Sequence, residues 1–190
     1  MPTLHEICQG LIGSYRLARL DRSGMSLFDT SAAGALRSFF AALLVLPSYI
    51  LLFLLRQPEQ LTTPPLDWIV VVETLAYVVS WTAYPVLMIW LTRFLDRGQR
   101  FTGFLAAYNW SAPIQMMVYL PVMAIAQAGI LPDGLGESLT LAVTLGLLAY
   151  QWFITQVALD LPPSTSSALV LLDFILSMFI SGYTEALLAL

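Results

Sequence analysis

The sequence contains no lysine, one histidine and one cysteine, and only 11% of its residues are charged. A typical soluble domain carries about 25% charged residues, whereas 58% of this chain is hydrophobic. The single cysteine, Cys8, excludes an internal disulfide. Neither His5 nor Cys8 has a matched set of possible ligands or catalytic partners, so we expect no metal, no cofactor and no nucleophilic catalysis. These absences predict a non-enzymatic membrane protein.

Positive charge is also scarce and is never concentrated. All eight basic residues are arginines, and the formal net charge is −4. Nucleic-acid binding depends on clustered basic side chains that neutralise phosphates. Because no basic run occurs, we expect no nucleic-acid partner.

Long apolar segments dominate the chain instead. At a rise of about 1.5 Å per residue, a helix of about 20 residues crosses the hydrocarbon core of a bilayer. We predict a single all-α domain over residues 1–190, an integral membrane bundle of five transmembrane helices. The predicted spans cover about 32–55, 66–95, 101–130, 138–159 and 166–188. Four spans are the alternative if one helix is re-entrant.

The segment 3–22 precedes the first span and has a helical period of apolar residues. Leu4, Cys8, Leu11 and Tyr15 recur at three and four residues. Polar and charged side chains occupy the other side, which predicts an N-terminal amphipathic helix in the headgroup layer. A docking arm for a partner protein is the alternative interpretation.

The third predicted span, 101–130, organises the rest of the chain. It has no formal charge, but it contains Asn109, Pro113 and Gln115. These groups need neighbouring helices to satisfy their hydrogen bonds inside a membrane. Pro113, together with Pro47 and Pro85 in the first two spans, also predicts helix kinks.

The arginines predict the orientation of the bundle. Cytoplasmic loops carry an excess of arginine and lysine. With the N-terminus inside, seven arginines are cytoplasmic and Arg56 alone is outside. An odd number of spans then places the C-terminus outside. We expect a multi-pass protein of the bacterial inner membrane, with a cytoplasmic N-terminus and a periplasmic C-terminus.

Several polar residues share one predicted depth in the cytoplasmic half of the bundle. They are Arg37, Ser80, Tyr84, Asn109, Gln151 and Asp173. An ionised carboxylate inside a bilayer is costly, so Asp173 should be paired or protonated. Arg37 is the predicted charged partner of Asp173, and Asn109 and Gln151 are the predicted hydrogen-bonding partners. Glu73 stands apart in the outer half, about 10 Å below the surface.

Small residues recur four apart in the last two predicted spans. The pairs are Ala142 with Gly146, and Ser177 with Ser181. This spacing lets helices approach closely in membranes. We expect these pairs to pack inside the bundle, and a dimer seam is the alternative.

The second half contains several segments with a characteristic spacing. They are Phe104-Leu105-Ala106-Ala107-Tyr108 with Pro113, then Leu148–Phe153, Val157–Leu159 and Ser164–Ala168. These segments resemble the Yip family of five-span membrane proteins, and the resemblance covers roughly residues 75–180. It implies five spans and a cytoplasmic N-terminus. The chain lacks the Asp-Leu-Tyr-Gly-Pro motif of the eukaryotic members, which bind prenylated Rab GTPases, so the resemblance is to the bacterial branch.

The leading functional hypothesis is an accessory or scaffold subunit of a larger inner-membrane assembly. Its expected partners are membrane lipid and other membrane protein subunits. A small transporter or channel subunit that uses Asp173 and Asn109 is one alternative, because an intramembrane acid is typical of ion and proton paths. A lipid-handling protein, with a lateral groove opened by the kinked helices, is another.

Overall fold

The computed structural model describes residues 1–55, 64–128, 130–132 and 134–189. The predicted loop that carries Arg56, Thr62 and Thr63, and Asp133 of the next outer turn, lie outside the described residues. Within the described part the chain is all-α, with no strand. The predicted fold class is confirmed at this level.

Seven α-helices follow one another along the described residues. They are α1 Leu4–Ala18, α2 Ala32–Arg37, α3 Phe40–Leu55, α4 Leu66–Phe94, α5 Phe101–Gln127, α6 Leu135–Leu159 and α7 Pro163–Leu188. Short 3₁₀ turns cover Arg22–Leu27 and Gly98–Arg100. The predicted break at residues 160–165 is shorter than expected, because Pro163 starts α7 in the first helical position that proline favours.

Four segments of the described chain are long and apolar enough to cross a membrane. They are Ala32–Leu55, Leu66–Phe94, Leu135–Leu159 and Pro163–Leu188. These segments are compatible with a multi-pass membrane protein. The polar helix α5 is not among them, although its 27 residues make it as long as its neighbours.

The polar helix α5 lies at the centre of the bundle. It packs against α1, α2, α3, α4 and α6, and the run from Gly103 to Ala107 is fully buried. Asn109, Trp110 and Ser111 continue this buried surface. The long helix that is not among the candidate spans is therefore the one that its neighbours enclose most completely, as its hydrogen-bonding needs predict.

The first predicted span is interrupted near its start. Residues 32–55 form α2 and α3 with a tight turn at Ser38 and Phe39. At this turn the backbone hydrogen bonds join residues three apart instead of four apart. Ser38 is fully buried, and its hydroxyl donates to the Ala35 carbonyl at 2.6 Å and accepts from Asn109 at 2.8 Å. These contacts fix the turn against α5.

Helix α1 packs on the bundle through a face that the apolar pattern did not indicate. Gly10, Gly13, Ser14 and Leu17 are buried. Of the predicted apolar face, Ile7 and Leu11 are partly buried and pack against the core, whereas Leu4, Cys8 and Tyr15 stay exposed. The helix therefore has one face for its neighbours and a separate apolar face that is free to contact lipid.

The long helices alternate in direction, which brings the described arginines to one end of the bundle. Trp68 at the start of α4 donates to the carbonyl of Leu187 at the end of α7. One end, here the arginine end, carries Arg16, Arg19, Arg22, Arg37, Arg93, Arg97 and Arg100. The opposite end, here the acidic end, carries Asp67, Glu73, Glu137 and Glu185 among its described residues.

Candidate functional site

A cavity of about 620 Å³ opens between α3, α4, α5 and α7 at the acidic end. Pockets for small molecules typically measure roughly 300–1,000 Å³ and combine apolar walls with a few polar groups. Tyr49, Glu73, Tyr119 and Glu185 supply polar groups here. The cavity therefore has the size and the chemical mixture of a ligand site.

Different helix contacts at the two ends of the bundle explain why the cavity forms. At the arginine end, α4, α5 and α7 share a buried core that contains Tyr84, Phe104 and Leu169. The rings of Tyr84 and Phe104 meet edge to face with centroids 6.4 Å apart. At the acidic end the same helices line the cavity. The bundle is thus closed at the arginine end and open at the acidic end.

Glu73 is the partly buried acid of the cavity wall. The Tyr49 hydroxyl donates to Glu73 Oε2 at 2.7 Å. Tyr49 also packs against Tyr77, with the rings tilted and their centroids 4.7 Å apart, and the Tyr77 hydroxyl donates to the Ala42 carbonyl on α3. Two tyrosines therefore connect α3 with α4, and one of them positions the carboxylate.

Ser80 does not belong to a buried polar layer. Its side chain is exposed, lines the cavity about two turns from Glu73, and donates to the Ala76 carbonyl of its own helix. The sequence placed Ser80 and Glu73 at separate levels. The structure places both on the wall of one cavity, because residues seven apart share a helix face.

The predicted polar layer is resolved into separate pairs. Tyr84 donates to the Leu169 carbonyl, and Asn109 donates to Ser38. Gln151 accepts a hydrogen bond from Gln115 at 3.1 Å. Depth along a helix was predicted from residue counts, but the direction of each side chain around its helix decides which groups meet.

Asp173 is bonded to a tyrosine that the site prediction omitted. The Tyr108 hydroxyl lies 3.2 and 3.1 Å from the two carboxylate oxygens. Tyr108 stacks beside Tyr84, with ring centroids 5.3 Å apart. The only signal for this role in the sequence was the position of Tyr108 within the most polar span, close to Asn109.

The predicted ion pair between Arg37 and Asp173 is wrong. Arg37 Nη2 lies 2.7 Å from Glu6 Oε1 on α1 and 2.7 Å from Asp29 Oδ2 in the preceding link. Arg37 ends α2 at the arginine end, where these two acids are much closer in sequence and depth. The arginine therefore joins the N-terminal arm to the bundle.

The acids around Arg37 are stabilised in their charged form. The backbone N–H of Thr3, followed by its hydroxyl and by Arg37, holds the pKa of the Glu6 carboxyl below its ordinary value. The backbone and hydroxyl of Ser31, followed by Arg37, likewise lower the pKa of Asp29. Both carboxylates are consequently available to Arg37 at neutral pH.

Within the described ranges, no group of three or more His, Cys, Asp or Glu residues lies close enough to hold a metal ion. Cys8 is exposed on α1. Comparison of the sequence and structure with family models, curated proteins and solved structures gives no match.

Proposed function

We propose that this is a non-enzymatic multi-pass membrane protein that binds an amphiphilic small molecule or lipid in the cavity at its acidic end. Large apolar side chains cover the surfaces of the long helices; Leu51, Leu145 and Phe179 are examples that are 46–72% exposed. Soluble monomers rarely expose contiguous apolar surface on this scale. A bilayer would cover these side chains.

Five transmembrane spans are part of the proposal, because α5 packs antiparallel to α6 along most of its length. Gly136 of α6 lies against Ala126, and Thr140 lies 3.8 Å from the sulfur of Met123. Farther along, Gln151 accepts from Gln115 of α5. Two antiparallel helices in contact over this distance would cross the same thickness of membrane, which supports α5 as the fifth span.

The separation of charge supports an N-terminus in the cytoplasm. The arginine end bears seven arginines, whereas the described acidic end bears four acids and no arginine. This asymmetry agrees with the positive-inside rule. The location in a bacterial inner membrane, and the resemblance to the Yip family, are parts of the same proposal.

The cavity is the observation that carries the ligand-binding proposal. Its walls include Leu52, Phe53, Met116 and Ile180 beside the polar groups around Glu73. Apolar walls favour hydrocarbon, and a few grouped polar side chains orient one polar end of a ligand. An amphiphile that enters from the outer leaflet matches this division.

Filling the cavity tests the proposal. Ala76 lines the cavity, and Ala76→Phe would place an aromatic ring inside it. Ala142 is exposed on α6 outside the cavity, so Ala142→Phe is a matched control. Native mass spectrometry from mild detergent should detect a bound lipid or amphiphile on the wild type and the control but not on Ala76→Phe. Equal binding by both variants would refute a cavity ligand.

An accessory or scaffold subunit is the second candidate function. The specific observation is that Ala142 and Gly146 are exposed, with no atom within 4 Å of a Cβ built on Gly146. The expected packing of this pair inside the bundle is therefore wrong, and a helix of another subunit could approach there. Native gels after mild extraction would show a larger assembly in this case and a lone monomer otherwise.

The transporter alternative receives less support from the described contacts. Asn109 bonds Ser38, whereas Asp173 bonds Tyr108. The two residues thus have different partners on different helices. Asp173→Asn would abolish flux in a transporter, but would change only thermal stability if the carboxylate is structural.

A further inference from the structure

We propose that the occupant of the cavity is a lipophilic cation, a positively charged centre on an apolar body, with Glu73 as its counter-ion. This inference rests on the proposed ligand-binding function and specifies the ligand's charge. Glu73 and Glu185 are the ionisable acids among the described lining residues, and none of these lining residues is basic. An anionic ligand would therefore be repelled.

The described residues supply Glu73 with one hydrogen-bond donor and with no opposite charge. A carboxylate has about four lone-pair sites, and among the described residues its hydrogen-bond donor is the Tyr49 hydroxyl. Ion pairs in the described part of the chain involve Glu6, Asp29 and Asp160 but not Glu73. A carboxylate in a low-dielectric site is stabilised most by an opposite charge. A cationic ligand would supply that charge.

The walls of the cavity favour an organic cation over a hydrated metal ion. Phe53, Tyr49 and Tyr119 line the same space as Glu73. Aromatic faces attract cations within about 6 Å of the ring, and apolar walls favour a hydrocarbon body. The described residues provide no cluster of three metal ligands. A bulky, weakly hydrated cation therefore fits the site better than an inorganic ion.

Two kinds of ligand could provide the same positive centre. One is a free organic cation, and the other is the amine of a phospholipid headgroup. The negative phosphate of such a headgroup would be repelled by Glu185 and Glu73, so the free cation is the simpler fit. The experiment separates the two by competition with phosphatidylethanolamine.

The test uses the full chain in mild detergent and two probes of nearly equal shape and opposite charge. Tetraphenylphosphonium is the cation and tetraphenylborate is the anion, and binding is measured by equilibrium dialysis. We expect the wild type to bind the cation more tightly than the anion. Glu73→Gln should weaken cation binding about tenfold, the loss of one modest charge interaction. Glu137→Gln changes an acid at the same end outside the cavity and should have no effect.

A second variant and a competing lipid distinguish the possible results of this test. If Glu73→Gln does not fold, Glu185→Gln should still reduce cation binding. Displacement of the cation by phosphatidylethanolamine would identify the lipid as the source, and failure to displace it would identify a free cation. Equal binding of both probes, or unchanged cation binding in Glu73→Gln and Glu185→Gln, would overturn the inference. If a zwitterionic amphiphile still binds to the wild type and not to Ala76→Phe, the proposed function survives that result.

Discussion

Substitution of Gly10 by alanine tests whether α1 is held against the bundle by a close backbone approach. A Cβ atom on Gly10 would lie 2.5–2.8 Å from three indole atoms of Trp110. Such distances are about 1 Å shorter than ordinary carbon contacts. The indole is rigid and 5% exposed, so it has little room to move. Either the ring or the whole of α1 must shift.

The size of the effect follows from two opposing contributions. Overpacking a well-filled contact costs typically about 1–3 kcal/mol. Alanine also favours a helix over glycine by about 1 kcal/mol, which partly offsets that cost. Gly146→Ala provides the comparison, because it has the same gain in helix propensity and meets no atom within 4 Å. We therefore expect Gly10→Ala to be less stable than Gly146→Ala by about 1–3 kcal/mol.

Reversible unfolding in mixed micelles, followed by circular dichroism, measures this difference. Gly10→Ala should also be tested in a Trp110→Leu background, where the clash is relieved and the substitution should cost little. A coupling free energy of about 1–3 kcal/mol between the two positions is expected from such a cycle. If Gly10→Ala stabilises the protein as much as Gly146→Ala does, α1 is not packed against Trp110, and our description of the N-terminal arm is wrong.

Two further contacts can be tested by the same unfolding measurement. Lowered pKa values of Glu6 and Asp29 mean that their contribution to stability is complete above pH 4.5 and is lost as the pH falls through the lowered values. Arg37→Gln should reduce this acid dependence without removing it, because backbone hydrogen bonds are the largest cause of both shifts; an unchanged pH profile down to about pH 3 would exclude a role for the arginine. Tyr108→Phe should lower the free energy of unfolding by about 1–3 kcal/mol, because the Asp173 carboxyl loses its donor. In an Asp173→Leu background the same substitution should have little effect, and an equal loss there would assign the cost to ring packing instead.

The positions of the long helices could be predicted from the sequence because polar and turn residues separate the long segments. The predicted segments 66–95 and 101–130 agree with Leu66–Phe94 and Phe101–Gln127 within three residues. The predicted spans continue through Pro47, Pro85 and Pro113, and each of these prolines lies inside a helix in the structure. Length, hydropathy and turn residues were sufficient for this part of the fold.

The partners of the polar side chains could not be predicted in the same way. Residue counts gave the depth of Asp173 and Arg37, but not the rotation of each helix or the course of the N-terminal arm. Arg37 therefore received the wrong partner, because Glu6 approaches it only when α1 folds back onto the bundle. The lining of the cavity was not predicted either, since it depends on how α3, α4, α5 and α7 pack against one another.

The central position of α5 has a consequence for how the protein is made. Membrane insertion favours segments that are apolar by themselves, and amides such as the buried Asn109 and the half-buried Gln115 oppose the transfer of α5 into lipid. Its hydrogen-bonding partners include Gln151, which lies in the helix that is synthesised next. If α5 is the fifth span that we propose, we expect α5 and α6 to enter the bilayer together as a helical hairpin.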